Sequence, residues 1–193
     1  MGTVSSSSYH HGDLRRALLD QAVPLIAEVG PASASLRELA RRTGVSHAAP
    51  AHHFGDKPGL LAAVAAEGFD LLADRLRAAT ETTGSLVEVG VAYVRFALDH
   101  PAHFATMFRP DLLPEADPVL TAARDRAGDV LHAAVATTAG GVLAEDPRTG
   151  AVAAWSLVHG FATLWSSGAL PGRSHPDADP DELARAVAGV LTR

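Results

Sequence analysis

Ten histidines, a single lysine and no cysteine bound the chemistry open to this 193-residue chain. Without cysteine there is no disulfide, zinc-thiolate site or cysteine nucleophile, which suits a reducing compartment. Imidazoles at His100, His103 and His132 are of the type that holds zinc, nickel or copper. They follow no H-x-E-x-H-like spacing, so neither a metal nor another cofactor is expected. No G-x-S-x-G elbow, S-x-x-K pair, P-loop or H-E-x-x-H helix occurs either. No nucleophile, base and orienting group are assembled, and the chain does not read as an enzyme.

What remains are groups that bind rather than react. Residues 1–57 hold five of the ten histidines (His10, His11, His47, His52, His53) with six basic and five acidic side chains, a balance of +1; residues 58–193 carry −7. The overall charge of −6 argues against wholesale coating of nucleic acid. The asymmetry nevertheless marks the first third as an end that could face it. No apolar run reaches the length of a bilayer span, so the expected setting is soluble and cytoplasmic, with no membrane partner.

The elements that must position these groups are helical. Leu14, Leu18, Ala22, Leu25 and Val29 recur at steps of three and four, and strand-like alternation bounded by hairpin dipeptides is missing. The chain reads as all-α, with about nine helices. A first helix is expected over 13–29, capped by Asp13 and stopped at Gly30-Pro31. Ser35-Leu36-Arg37-Glu38 is a capping box that opens a second helix, and Thr43-Gly44 closes it. Ser46 is placed to cap a short third helix over 47–54, with Pro50 inside it, and Asp56 to cap a fourth that runs to about residue 82. A helix, a turn of three or four residues with glycine and a short helix form the helix-turn-helix outline. Further helices are expected over 86–99, 103–108, 119–139, 149–167 and 181–191, with 168–180 as the mobile loop.

The order Leu36-Arg37-Glu38-Leu39-Ala40, Thr43-Gly44-Val45-Ser46, His53-Phe54-Gly55-Asp56-Lys57 and Leu60-Leu61 carries a resemblance. Residues 12–61 resemble the DNA-binding domain of TetR-family transcriptional regulators. The resemblance implies a disordered tail over 1–9, a DNA-binding domain over 10–57 and a helical ligand-binding and dimerisation domain over 58–193. It implies base contacts from Ser46, His47, Ala48 and Ala49, and phosphate contacts from Ser35, Arg42, His52, His53 and Lys57. Where the family usually carries an aromatic residue two positions before His-Phe, this chain has Ala51. That departure removes one grip on the backbone and keeps open a second reading, a small-molecule- or partner-binding protein with a weakened DNA-binding end.

In the C-terminal part, Trp155, His159 and Gly160 are similar to the Trp-His-Gly signature of one class of TetR-family ligand-binding domains. Tyr93, Phe96, His100, Phe104, Met107 and Phe108, with Trp155 and His159, are candidates for the pocket of a small apolar effector, since such pockets are mostly apolar with a few placed polar groups. The same residues are compatible with ordinary core. The helix over 149–167 is apolar on nearly every side, which predicts burial all round. By the resemblance, Val158, Phe161 and Trp165 with Leu183, Val187 and Val190 form a dimer interface. The implied function is a homodimeric repressor that reads a palindromic operator and releases it when the effector binds.

Overall fold

The computed structural model describes residues 7–138, 145–170 and 179–192, with side chains over 13–137, 145–170 and 179–192. Among them are nine α-helices and no strand: α1 (Ser7–Val29), α2 (Leu36–Thr43), α3 (Ala48–Phe54), α4 (Lys57–Thr83), α5 (Leu86–Asp99), α6 (Pro101–Met107), α7 (Pro118–Thr138), α8 (Pro147–Ser167) and α9 (Pro180–Ala188), followed by a 3₁₀ turn over Gly189–Thr192. The all-α class is as expected. Most of the expected mobile loop, residues 171–178, lies outside the described residues.

Several boundaries differ from expectation for local reasons. Helix α1 begins six residues before Asp13, because the single Gly12 costs only about 1 kcal/mol and no proline interrupts the approach. Helix α8 starts at Pro147 instead of residue 149: Asp146 accepts from the backbone N–H of Arg148 and Thr149 at 3.2 and 3.3 Å, and proline suits the first helical position. Ser46 does not cap α3 with its side chain. His47 takes the flanking position with helical angles (φ −59, ψ −22), and Ser46 enters through its backbone carbonyl, which accepts from Ala49 N at 3.0 Å.

The chain gathers into two compact units, Met1–Gly68 with Pro101–Thr121, and Phe69–His100 with Ala122–Arg193. The packing divides within α4, between Gly68 and Phe69. In the first unit α1 packs on α2, α3 and α6, and Leu18, Leu25, Ile26, Leu39, Leu60 and Leu61 are fully buried. Each such side chain is worth about 1.5–3 kcal/mol. Two features bring α6 into this unit. A Cβ on Gly68 would stand 2.6 Å from Met107 Sδ, so the absent side chain makes the seat for Met107. Glu67 accepts from Arg16 of α1 and lies 3.2 Å from His103 Nε2.

In the second unit α5, α8 and α9 pack on one another. Gly90 of α5 permits the approach, since a Cβ there would lie 3.0 Å from Ala188 Cβ and 3.1 Å from Val158 Cγ1. Two ion pairs hold α9 to α5: Arg185 to Glu88 at 2.7 Å, and Arg95 to Asp181. The all-round burial expected for α8 is not observed. Ala151, Ala154, Val158, Phe161 and Ala162 are buried, whereas Val152 and Leu164 are 58% and 45% exposed. One stripe satisfies this unit's core, and on the other side Val152, Trp155 and Leu164 are exposed among Ser156, Thr163, Ser166 and Ser167.

Candidate nucleic-acid interface and effector-binding unit

The turn between α2 and α3 rests on three local devices. Ser35 takes an extended conformation and its hydroxyl accepts from Glu38 N at 3.2 Å, so its oxygen satisfies one of the orphan donors of α2. Gly44 closes α2 at φ +68, a left-handed conformation in which other residues are strained, and donates to Ala40 and Arg41 carbonyls. Val45 then continues the closure, its N–H reaching the Ala40 carbonyl at 3.1 Å.

Beyond that turn, Ser46, His47 and Ala48 are exposed and Ala49 is half-buried, while Pro50 is buried. Proline thus serves the core side of α3 and leaves small residues outward at its N-terminal end. His52 is exposed and packs edge-to-face on the half-buried His53 at 5.5 Å. Phe54 anchors α3 from inside, with the Arg15 guanidinium 5.2 Å from its ring centre. Ala51 is exposed and offers no aromatic surface.

The expected phosphate-binding cations are more committed than the sequence suggested. Lys57 donates through Nζ to the Ala32 carbonyl, tying the α1–α2 loop to the start of α4. Arg42 sends Nη1 and Nη2 to the two Glu28 oxygens at 2.9 and 2.6 Å, and Nε to Glu38 at 3.0 Å. Arg41 makes a second fork onto Glu38 at 2.8 and 2.7 Å. Hydrogen bonds from Arg41 first, and Arg42 second, pull the Glu38 carboxyl down to about 2; Arg42 likewise holds Glu28 below the ordinary range. Arg37, exposed on α2 and in no ion pair among the described residues, is the cation that sequence reasoning passed over. The i,i+4 spacing of Glu38 and Arg42 was a readable sign of pairing; the fourteen-residue separation of Glu28 and Arg42 was not.

The eight candidate pocket residues do not gather in one unit. Phe104 and Phe108 meet edge-to-face at 5.5 Å in the first unit, where Met107 fills the Gly68 seat. Tyr93, Phe96, His100, Trp155 and His159 belong to the second. There His100 packs on the fully buried Phe96 at 5.2 Å, and Trp155, Tyr93 and His159 form a chain of hydrogen bonds. Trp155 Nε1 donates to the Tyr93 hydroxyl at 3.1 Å, and that hydroxyl lies 2.8 Å from His159 Nδ1. Burial pushes the Tyr93 phenol up and the His159 imidazolium down, so both stay neutral at physiological pH.

A small apolar cavity of about 20 Å³ lies nearby, lined by Leu76, Val89, Gly90, Tyr93, Leu131 and Val158 among others. Tyr93 is the one candidate pocket residue on its wall. Of the candidate interface residues, Leu183 and Val190 are 40% and 63% exposed, and Trp165 and Val187 are half-buried. Val158 and Phe161 are buried in the unit's own core, at 5% and 6% exposure.

Comparison with known proteins places this arrangement. Residues 18–64 match the family model described as bacterial regulatory proteins, tetR family, and residues 86–191 match the tetracyclin repressor-like C-terminal domain. A solved structure of a protein with unknown function from Rhodococcus sp. RHA1 is 33% identical, with a TM-score of 0.77 over 97% of this chain and 100% of that one. The TetR family transcriptional regulator PfmR from Thermus thermophilus shares the fold, with a TM-score of 0.68 at 23% identity over 91% of this chain and 97% of that one. Among curated relatives, the HTH-type transcriptional regulator BetI of Klebsiella pneumoniae is 37% identical over 75 residues, a match that spans 37% of this chain and 38% of the relative's length. With both domain models matched in order, and the second covering more than half its length, the chain belongs to the TetR family of bacterial regulatory proteins.

Proposed function

We propose that the chain is a homodimeric DNA-binding transcriptional regulator, a repressor that reads a palindromic operator and lets go of it when a small apolar effector enters the second unit. The observation that carries the reading is the outward N-terminal end of α3. Ser46, His47 and Ala48 are exposed at the start of a helix held by a packed core, and a short helix of that kind fits a major groove about 12 Å wide. A single α3 covers one half-site, so two copies are needed to read a symmetric site. The exposed Val152, Trp155 and Leu164 of α8, with Leu183 and Val190 after them, support pairing with a second copy. Regulation without turnover and action in the cytoplasm, where the DNA is, follow from the same reading. Among the described residues no helix is long and apolar enough to cross a membrane.

The test is selection of duplexes from a random library by the full chain. Enrichment of an inverted repeat with half-site centres about 34 Å apart, or a multiple of it, supports the reading; recovery of no symmetric site opposes it. With the selected site in hand, Lys57→Ala is expected to make the salt dependence of affinity shallower by about 0.9 in log-log slope, the loss of one phosphate contact. The 20 Å³ cavity is far below the roughly 300–1,000 Å³ of small-molecule sites, so an effector would fit there only by enlarging it. A rise in melting temperature across a library of compact hydrophobic compounds is the measurement.

A further inference from the structure

We infer that Glu28 is an internal stand-in for a DNA phosphate: it holds Arg42 in the unbound protein and cedes it to the backbone when a duplex is engaged. The inference rests on the DNA-binding reading above.

The geometry is that of an exchangeable ligand. Arg42 presents its Nη1–Nη2 edge to both oxygens of one carboxylate, at 2.9 and 2.6 Å, and that planar fork matches phosphate as well as carboxylate. Its Nε is held separately by Glu38 at 3.0 Å, so the guanidinium keeps its orientation when the fork is released. The two partners also differ in exposure: the Glu28 side chain is 56% exposed and Arg42 23%, which makes the carboxylate the outer, displaceable member. Glu28 stands one residue before the end of α1, where the negative end of the helix dipole repels a carboxylate. Arg42 is therefore its main support.

The consequence concerns charge. Arg41 and Arg42 are matched by Glu28 and Glu38, so the end of α2 presents no net charge to an approaching duplex until the exchange occurs. The sequence-independent attraction that dominates loose DNA binding is thereby muted, and full engagement of Arg42 is reserved for a pose close enough to displace Glu28.

The test uses the full chain and a fluorescein-labelled duplex of mixed sequence, with anisotropy read across salt. E28Q is expected to bind about twofold to fivefold tighter than the unchanged protein, the range set by an exposed ion pair. R42Q is expected to reduce the log-log salt slope by about 0.9. In the R42Q background E28Q is expected to have no effect, because the gain acts through Arg42. R42K, which keeps the charge without the fork, guards against a folding defect: it retains the original slope while the E28Q gain shrinks below twofold. A gain from E28Q that persists undiminished in R42Q or R42K overturns the inference, since Glu28 would then only repel phosphate. An unchanged slope in R42Q overturns it too. Failure of the unchanged protein and E28Q alike to bind the duplex at low salt sinks the DNA-binding reading itself.

Discussion

Nδ1 of His159 lies 2.8 Å from the Tyr93 hydroxyl. The Trp155 indole can only donate, and it donates to the same hydroxyl, which leaves the Tyr93 proton free to go to Nδ1 of His159. That arrangement calls for a neutral Nε2–H imidazole at His159. Nitrogen-15 correlation spectra should report that tautomer at pH 7; a protonated Nδ1 would contradict it.

The same contact has a pH consequence. Burial holds the folded-state pKa of His159 below its ordinary 6.5. Below pH 6.5 the unfolded chain therefore takes up a proton that the folded one refuses. Stability contributed by this site is whole above 6.5 and is lost as pH falls through the folded value. Replacing the imidazole with the non-titrating amide in His159→Gln should lessen the fall in melting temperature between pH 7 and 5. An identical fall in both proteins would show that this histidine is not responsible.

The two stripes of α8 should respond oppositely to charge. Phe161 is 6% exposed, so Phe161→Glu buries an unpaired carboxylate and should unfold the second unit. Val152→Glu and Leu164→Glu alter exposed positions and should leave the stability within about 0.5 kcal/mol of the original while dissociating the proposed dimer in sedimentation velocity. Dimers that survive both exposed substitutions would place the interface elsewhere.

Gly68 leaves the space that Met107 fills, with its absent Cβ 2.6 Å from the sulfur and 3.0 Å from His103 Cβ. Gly68→Val should cost about 2 kcal/mol by overpacking. Adding Met107→Ala, which vacates the seat, should recover part of it, and strict additivity in urea unfolding would refute the contact as the cause.

Ser35 and Gly44 shape the turn before α3 from its two sides. Ser35→Ala should cost about 1 kcal/mol by leaving a helix N–H without its side-chain acceptor, and Gly44→Ala about 1–2 kcal/mol through φ +68. Both are measurable as shifts in denaturant midpoint, with slower hydrogen exchange in α3 as the opposing result.

Much of the architecture was legible because its signals are local. The Ser35 cap, the Gly44 stop, the Ser85–Leu86 start of α5 and the exposed Ser46-His47-Ala48 all depend on residues within a few positions of one another. Helix propensity and capping act over one turn, so one turn of sequence announces them. The placement of the aromatic run from Tyr93 to Phe108 was not legible, for the converse reason. Neighbours in sequence, they are divided between two units by the break at His100–Pro101.

Composition and spacing alone determined that this chain is helical, that it carries a helix-turn-helix, and that its acidic excess lies beyond residue 57, leaving +1 over residues 1–57 against −7 over 58–193. Only tertiary structure decided which cations are spoken for, which face of α8 is covered, and that Tyr93 joins Trp155 to His159. Those outcomes come from contacts between residues 14, 62 and 66 positions apart. Partners so distant are chosen by how whole helices pack, a competition among many side chains that no short stretch of sequence encodes.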